Sequence, residues 1–135
     1  MVSRGVQSVW MPVEVVPGIS SVQVLCARAA IEMDRAYFLT FHKRGDTAQE
    51  RREFVAAART GDRHVVALPR PFDFMPSHMA GLLLEQGVAG LREVAVYERL
   101  TLPGEQVTRT SLAGLAASEQ QFSDLSILLL PAQSL

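Results

Sequence analysis

Residues 36–68, AYFLTFHKRGDTAQERREFVAAARTGDRHVVAL, hold the unit on which the fold turns. Ala36 to Phe41 is a short aromatic and aliphatic run that reads as a strand. Asp46 or Thr47 can cap a helix that continues through Arg59, with Phe54, Val55 and Ala58 on its apolar face. Gly61 suits the helix stop, and His64 to Leu68 is a second strand, ended by the turn Pro69-Arg70-Pro71. Strand, helix and strand in succession make a βαβ crossover, whose two strands pair in parallel.

The same alternation extends outward. Upstream, Val13-Glu14-Val15-Val16 reads as a strand stopped by Pro17-Gly18, and Ser20 or Ser21 caps a helix carrying Val22, Leu25, Cys26 and Ala29 on one face. Downstream, Ser77 caps a helix with Met79, Leu82, Leu83 and Gln86, closed by Gly87. Val94 to Tyr97 is a strand, and Gln106 to Thr110 alternates weakly as another. Ser111 caps a short helix through Ala117, and Ser126 to Leu130 is a last, fully apolar strand. The expectation is an α/β domain of three layers, with a mixed, mainly parallel sheet of about five strands flanked by helices. The closing portion is where antiparallel pairing can enter. Residues 1–12 read as an N-terminal remnant or linker and 13–135 as the domain.

The bulk numbers fit one globular domain: 135 residues, 48% hydrophobic and 20% charged. With 13 basic and 14 acidic residues the net charge is −1, so the basic excess of a nucleic-acid binder is missing. The densest basic stretch, His42-Lys43-Arg44 with Arg51-Arg52, is offset by Asp46, Glu50 and Glu53. Cys26 is the one cysteine, which excludes an intrachain disulfide and a Cys-rich zinc site. Its place in an apolar helical pattern reads as a small buried hydrophobe. The apolar run at 125–131 falls far short of the ~20 residues a membrane span requires. No signal-peptide core precedes Glu14. A cytoplasmic protein with no nucleic-acid or membrane partner is expected.

In an open α/β sheet, ligands sit where the carboxyl ends of strands meet loops and helix N-termini. The segment Val16-Pro17-Gly18-Ile19-Ser20-Ser21 is such a junction: its glycine allows close backbone approach, and the following helix offers unpaired N–H groups to an anionic ligand. An ordinary strand–turn–helix junction with serine capping fits the same spacing. His42 stands at the same edge beside Lys43 and Arg44, as an anion-orienting group or as a solvated loop histidine. Glu98-Arg99 also reaches that edge, where a surface ion pair explains it more simply than a ligand does. His64 falls at the opposite edge and reads as structural. His78 has no partners at metal-ligand spacing, so no metal is expected. Asp124 suits turn chemistry. There is no G-x-G-x-x-G loop, P-loop or G-x-S-x-G elbow, and no arrangement announces a catalytic nucleophile or acid–base pair.

The string Val13-Glu14-Val15-Val16-Pro17-Gly18-Ile19-Ser20-Ser21 resembles the V-x-V-I-P-G-I-S-S segment opening the second domain of the tetrapyrrole methylase superfamily. Three further blocks are similar to its precorrin-6Y methyltransferase branch. Phe38 to Arg44 resembles a strand ending in S-x-H-G-R. Tyr97-Glu98-Arg99-Leu100 with Pro103-Gly104-Glu105-Gln106-Val107 resembles E-x-L-x-x-P-x-E-x-V. Ser111-Leu112 and Leu115-Ala116, then Phe122 to Leu129, resemble its closing S-L-x-E-L-A and F-x-x-L-x-V-x-L blocks. The similarity runs in order from about Val13 to Leu130. Lys43 departs from the pattern, standing where the family has the glycine of H-G-R. The glycine-rich donor loop of the family's N-terminal domain has no counterpart in the residues before Val13.

The resemblance implies methyl transfer from S-adenosylmethionine to a tetrapyrrole, a precorrin of cobalamin biosynthesis methylated at C5 and C15. Carried over position by position, Pro17, Gly18, Ile19, Ser20 and Ser21 face the methyl donor. Ala67, Leu68, Pro69, Glu98, Arg99 and Leu100 line its cleft. His42 and Arg44 are placed on the substrate's carboxylates by chemistry, since a guanidinium fork suits them. The resemblance assigns no catalytic residue. It implies an N-terminal domain or partner subunit to complete the cleft, a chain inactive alone, and a separate decarboxylating methyltransferase domain. The alternatives are a non-catalytic assembly or binding module from a truncated or split gene, and a diphthine-type methylase of the same superfamily. Apolar surface expected near Trp10, Met11, Phe72, Phe74 and Met75 favours a homo-oligomer, a dimer.

Overall fold

The strand–helix–strand unit of residues 36–68 forms as its pattern predicts. In the computed structural model, which describes residues 16–133 and side chains from residue 21 onward, the elements are α1 (Val16–Ala29), β1 (Ala36–Thr40), α2 (Ala48–Thr60), β2 (His64–Leu68), α3 (Pro76–Glu85), β3 (Glu93–Glu98), β4 (Gln106–Ser111), α4 (Leu112–Ala117) and β5 (Ser126–Leu130). β1 and β2 pair in parallel, from Ala36 beside His64 to Thr40 beside Leu68. Thr47 holds the cap position of α2, but Asp46 makes the bond, its Oδ1 accepting from the Ala48 N–H at 3.0 Å. Gly61 ends that helix at φ 71°, a left-handed conformation that favours glycine.

The five strands form one mixed sheet in the order β1-β2-β5-β3-β4. It is not mainly parallel: β1–β2 is the parallel pair, while β2–β5, β5–β3 and β3–β4 are antiparallel. The cause lies in β5. All five of its residues are buried, so it belongs in the middle of the sheet, and it fills the slot between β2 and β3, running against both. β4 returns from β3 as a neighbouring antiparallel strand and forms the far edge.

Two expected boundaries are corrected. Of the expected strand at 13–16, residues 13–15 lie outside the described residues. Val16 opens α1, so Pro17 and Gly18 do not stop a strand, and Ser20 and Ser21 lie inside the helix instead of capping it. Proline suits a first helical turn, whose N–H groups have no intrahelical partner in any case. Ser77 likewise does not cap α3. Met75 holds that position, Pro76 follows as the first helical residue, and the Met75 N–H donates to Nδ1 of His78 at 3.1 Å. Ser111 does cap α4, its Oγ accepting from the Gly114 N–H at 3.1 Å.

Strand alternation sorts the sheet into two apolar faces, as three layers require. Leu39, Val65, Ala67, Val94, Val96, Leu128 and Leu130 pack with buried residues of α2, α3 and α4. Ala36, Val66, Ala95, Tyr97, Ile127 and Leu129 pack on the other side with Leu25 of α1. Cys26 is buried, as its place in the apolar pattern predicts. Phe41 anchors the larger core, edge-on to Phe54 at 5.6 Å and to Phe74 at 4.6 Å between ring centroids. Phe74 is therefore core rather than exposed surface, and the Arg51 guanidinium lies over its ring at 4.2 Å. Phe72, at the tip of the Arg70–Phe74 turn, stays 92% exposed. Among the described residues, no helix is long and apolar enough to cross a membrane.

Candidate functional site

The sheet order brings three strand ends and two strand starts to a single edge, β4 opening at Gln106 beside the end of β3. β1, β2 and β3 finish there, and β5, running the other way, begins there. A cavity of about 590 Å³ sits at this edge, within the range of small-molecule sites. His42 comes from the end of β1, Leu68, Pro69 and Pro71 from the end of β2, and Ser21 from α1. Tyr97, Arg99, Leu100 and Leu102 come from the end of β3 and the loop after it. Asp124, Leu125, Ser126 and Ile127 form the wall made by the start of β5. Tyr97, Leu100, Ser126 and Ile127 are buried, whereas His42, Asp124, Leu102 and Leu125 are exposed. A buried, mostly apolar floor thus leads to a mouth where His42 and Asp124 stand beside Leu102 and Leu125.

Of the positions singled out in the sequence, Ser21, His42, Leu68, Pro69, Arg99 and Leu100 line this cavity. The side chains of Pro17, Gly18, Ile19 and Ser20 lie outside the described set. Ala67 does not reach the cavity: strand alternation points it into the core beneath α2 and α3. Arg44 sits on an exposed turn and is not among the lining residues. That turn is held from below by Arg70, whose Nη1 donates to the carbonyls of Lys43 at 3.2 Å and Gly45 at 2.7 Å. Gly45 takes φ 85°, so the left-handed residue of the turn lies two positions past Lys43.

Glu98 and Arg99 form no ion pair with each other. Glu98 is 3% exposed, and its carboxylate accepts from Nε2 of Gln106 at 2.8 Å and from the Ser123 N–H at 2.7 Å. It ties β3 to β4 and to the segment leading into β5, so it braces the cavity wall from behind. Arg99 turns away at φ 53°, its Nε donating to the Pro103 carbonyl at 2.8 Å. The loop 99–105 is held in an uncommon backbone shape. Thr101, β-branched, stands at φ 67°, and Gly104 at φ 86°. The Thr101 N–H donates to Oε1 of Glu105 at 2.9 Å, and Glu105 meets Nε and Nη2 of Arg28 at 3.0 Å each. That fork ties the loop to α1 and holds the Glu105 carboxyl below its usual range, through the Arg28 hydrogen bonds first and the Thr101 N–H second.

The sequence reading missed Pro71, Tyr97, Leu102, Leu125, Ser126 and Ile127 as lining residues, and it placed Asp124 as a turn residue only. The 125–127 wall follows from the antiparallel entry of β5. The other histidines have structural partners. Nδ1 of His64 accepts from the Ala132 N–H at 3.0 Å at the opposite sheet edge, and burial lowers its pKa.

An apolar cleft where β1, β2 and β3 end lies where open α/β sheets place small-molecule sites. The model of the Tetrapyrrole (Corrin/Porphyrin) Methylases matches residues 6–116, and the chain belongs to this family. It is therefore a methyltransferase-family chain of the tetrapyrrole methylase type. No curated protein matches it. Among solved structures it is similar to the cobalamin-biosynthesis precorrin-6Y methylase of Archaeoglobus fulgidus, at 20% identity and TM-score 0.57, over 96% of this chain and 63% of that one. It is also similar to the methyltransferase CobJ, at 14% identity and TM-score 0.66, over 96% and 64%. A putative diphthine synthase of Entamoeba histolytica aligns at 12% identity and TM-score 0.56, over 98% and 66%. These likenesses define the fold, and the chain spans less than two thirds of the length of the precorrin-6Y methylase and of CobJ.

Proposed function

We propose that this chain is the cleft-forming domain of an S-adenosylmethionine-dependent methyltransferase acting on a precorrin in cobalamin biosynthesis, of the C5,15-methylating type. The observation that carries the reading is the cavity at the carboxyl edge of β1, β2 and β3, in a chain of the tetrapyrrole methylase family. Its residues fit such a donor: a buried aliphatic floor suits an uncharged ring system, and a mouth holding His42, Arg99 and Asp124 suits a zwitterionic end and acidic substrate side chains. When bound, the donor supplies a methyl group on a positively charged sulfur, ready for displacement by a nucleophilic ring carbon. The part left to this chain is orientation and exclusion of water. Leu68, Pro69, Leu100 and Ile127 keep the floor dry, and the braced loop 99–105 fixes one wall.

The exposed mouth, and the further length of the similar structures, support a second domain or partner subunit that closes the cleft. On this reading the isolated chain binds donor but does not turn over, and decarboxylation belongs to a separate domain. Soluble cytoplasmic placement and a homodimer complete the proposal. Calorimetric titration with S-adenosylhomocysteine, with an adenine nucleotide lacking the amino-acid end as control, tests it. Saturable one-to-one binding with a preference for S-adenosylhomocysteine is expected; no heat with either ligand refutes the donor assignment. The diphthine synthase neighbours favour a second acceptor class. With the complete protein, labelled methyl recovered in a tetrapyrrole supports the first reading, and label recovered only in a protein acceptor supports the second.

A further inference from the structure

Ser126 is the first residue of β5 and lies opposite Glu98 of β3. It is 4% exposed, it lines the cavity, and its Oγ has no hydrogen-bond partner among the described residues. A buried hydroxyl left unpaired costs stability, because the bonds it makes to water in the unfolded chain are not replaced. Nothing in the packing requires it. The other four residues of β5 are Ile and Leu, and an alanine would fill the same space. Glu98 and Arg92, also buried, are paired, and the other buried side-chain atom without a partner among the described residues, Oε1 of Glu50, belongs to a carboxylate whose Oε2 meets the Lys43 ammonium. The unpaired hydroxyl of Ser126 stands at the wall of the cleft cavity.

The neighbourhood limits what the hydroxyl can meet. Leu100, Tyr97 and Ile127 share the buried part of the cavity with it, while His42 and Asp124 stand exposed at the mouth. A charged ligand group drawn to the floor would lose its hydration without a charged side chain among the buried lining residues to pair with it. A neutral, flat, nitrogen-bearing ring loses little, and a single hydroxyl, both donor and acceptor, can pair with its edge. We propose that Ser126 is a specificity-determining residue that hydrogen-bonds the heterocyclic base of the donor nucleoside, with the donor's charged amino-acid end directed toward the mouth. This rests on the donor reading given above and adds to it the orientation of the ligand and the residue that selects its base.

The test is Ser126→Ala in the full chain, titrated calorimetrically with S-adenosylhomocysteine, with adenosine measured by competition, beside thermal melts without ligand. Loss of one neutral hydrogen bond weakens both ligands about 5- to 10-fold. The free variant melts at the wild-type temperature or slightly above it, since an unpaired buried group has been removed. Unchanged affinity for S-adenosylhomocysteine in the variant overturns the role of Ser126 and leaves the donor reading standing. Weakened S-adenosylhomocysteine with unchanged adenosine overturns the assignment to the base. A lower melting temperature of the free variant marks the hydroxyl as structural and overturns the proposal as well. Failure of the wild-type chain to bind S-adenosylhomocysteine removes the donor reading, and this inference falls with it.

Discussion

Glu98 separates a ligand-facing carboxylate from a bracing one, and substitution distinguishes them quantitatively. In the structure both oxygens are used: Oε1 by the Gln106 side chain at 2.8 Å and Oε2 by the Ser123 N–H at 2.7 Å, with the residue 3% exposed. Glu98→Ala removes both bonds and strands the Ser123 N–H. At about 1 kcal/mol for each lost bond, with a further ~1 kcal/mol or more for the stranded donor, the cost is about 3 kcal/mol. Unfolding entropy is about 2.1 cal/mol/K per residue, or ~0.28 kcal/mol/K for this chain, so the midpoint falls by about 10 °C. Glu98→Gln is far milder, costing about 1 kcal/mol, because the carbonyl oxygen can keep Ser123 while the Gln106 amide turns to accept from the new NH2. Differential scanning calorimetry on the three proteins reads these shifts. An alanine variant that loses under ~1 kcal/mol yet binds ligand poorly would refute the bracing role and return Glu98 to the cleft. The bracing role instead predicts that alanine weakens binding indirectly, by freeing the Ser123–Ser126 wall, while glutamine leaves it nearly intact.

Arg92 is 8% exposed and donates Nη1 to the Ala58 carbonyl at 2.7 Å and Nη2 to the Pro131 carbonyl at 3.1 Å, closing the end of α2 against the chain after β5. Arg92→Met should lower the denaturant midpoint by an amount worth about 2–3 kcal/mol at unchanged slope, with Arg92→Lys recovering part of it. His64 titrates below its ordinary value near 6.5 because of burial first and Arg35 second. As pH falls through about 6.5 the unfolded chain takes up that proton before the folded one, so stability drops with falling pH, and His64→Asn, which keeps an acceptor for the Ala132 N–H, should flatten the dependence of melting temperature between pH 7 and 5.

How much of this was legible beforehand depends on whether the signal is local. The βαβ unit at 36–68 was, because a strand run, Asp46, an apolar helix face and Gly61 each act within a few residues and agree with one another. The short helix after Ser111 was legible for the same reason. Proline misled in both directions. Pro17 reads as a strand stop yet lies in the first turn of α1, and Pro76 displaces the start of α3 ahead of Ser77. A residue without an N–H is equally at home after a strand and at the opening of a helix, so only what packs beyond it decides.

The site was half legible, and one cause accounts for the unforeseen wall from Asp124 to Ile127. Residues at the ends of β1, β2 and β3 were found because a parallel crossover fixes which end of a strand faces the cleft. Strand order is a long-range property, and the buried run Ser126–Leu130 says that β5 is central without saying which way it runs. Read as another parallel strand, β5 puts Ser126 at the far edge beside His64. Running against β2 and β3, it brings Asp124 to Ile127 to the cleft instead. The same reversal explains Glu98. Its partner Ser123 precedes β5, so only an antiparallel entry puts that N–H within reach of the end of β3. One direction of one strand therefore decides the second wall of the cavity, the burial of the carboxylate behind it and the position of the unpaired hydroxyl, and no pattern within five buried residues encodes it.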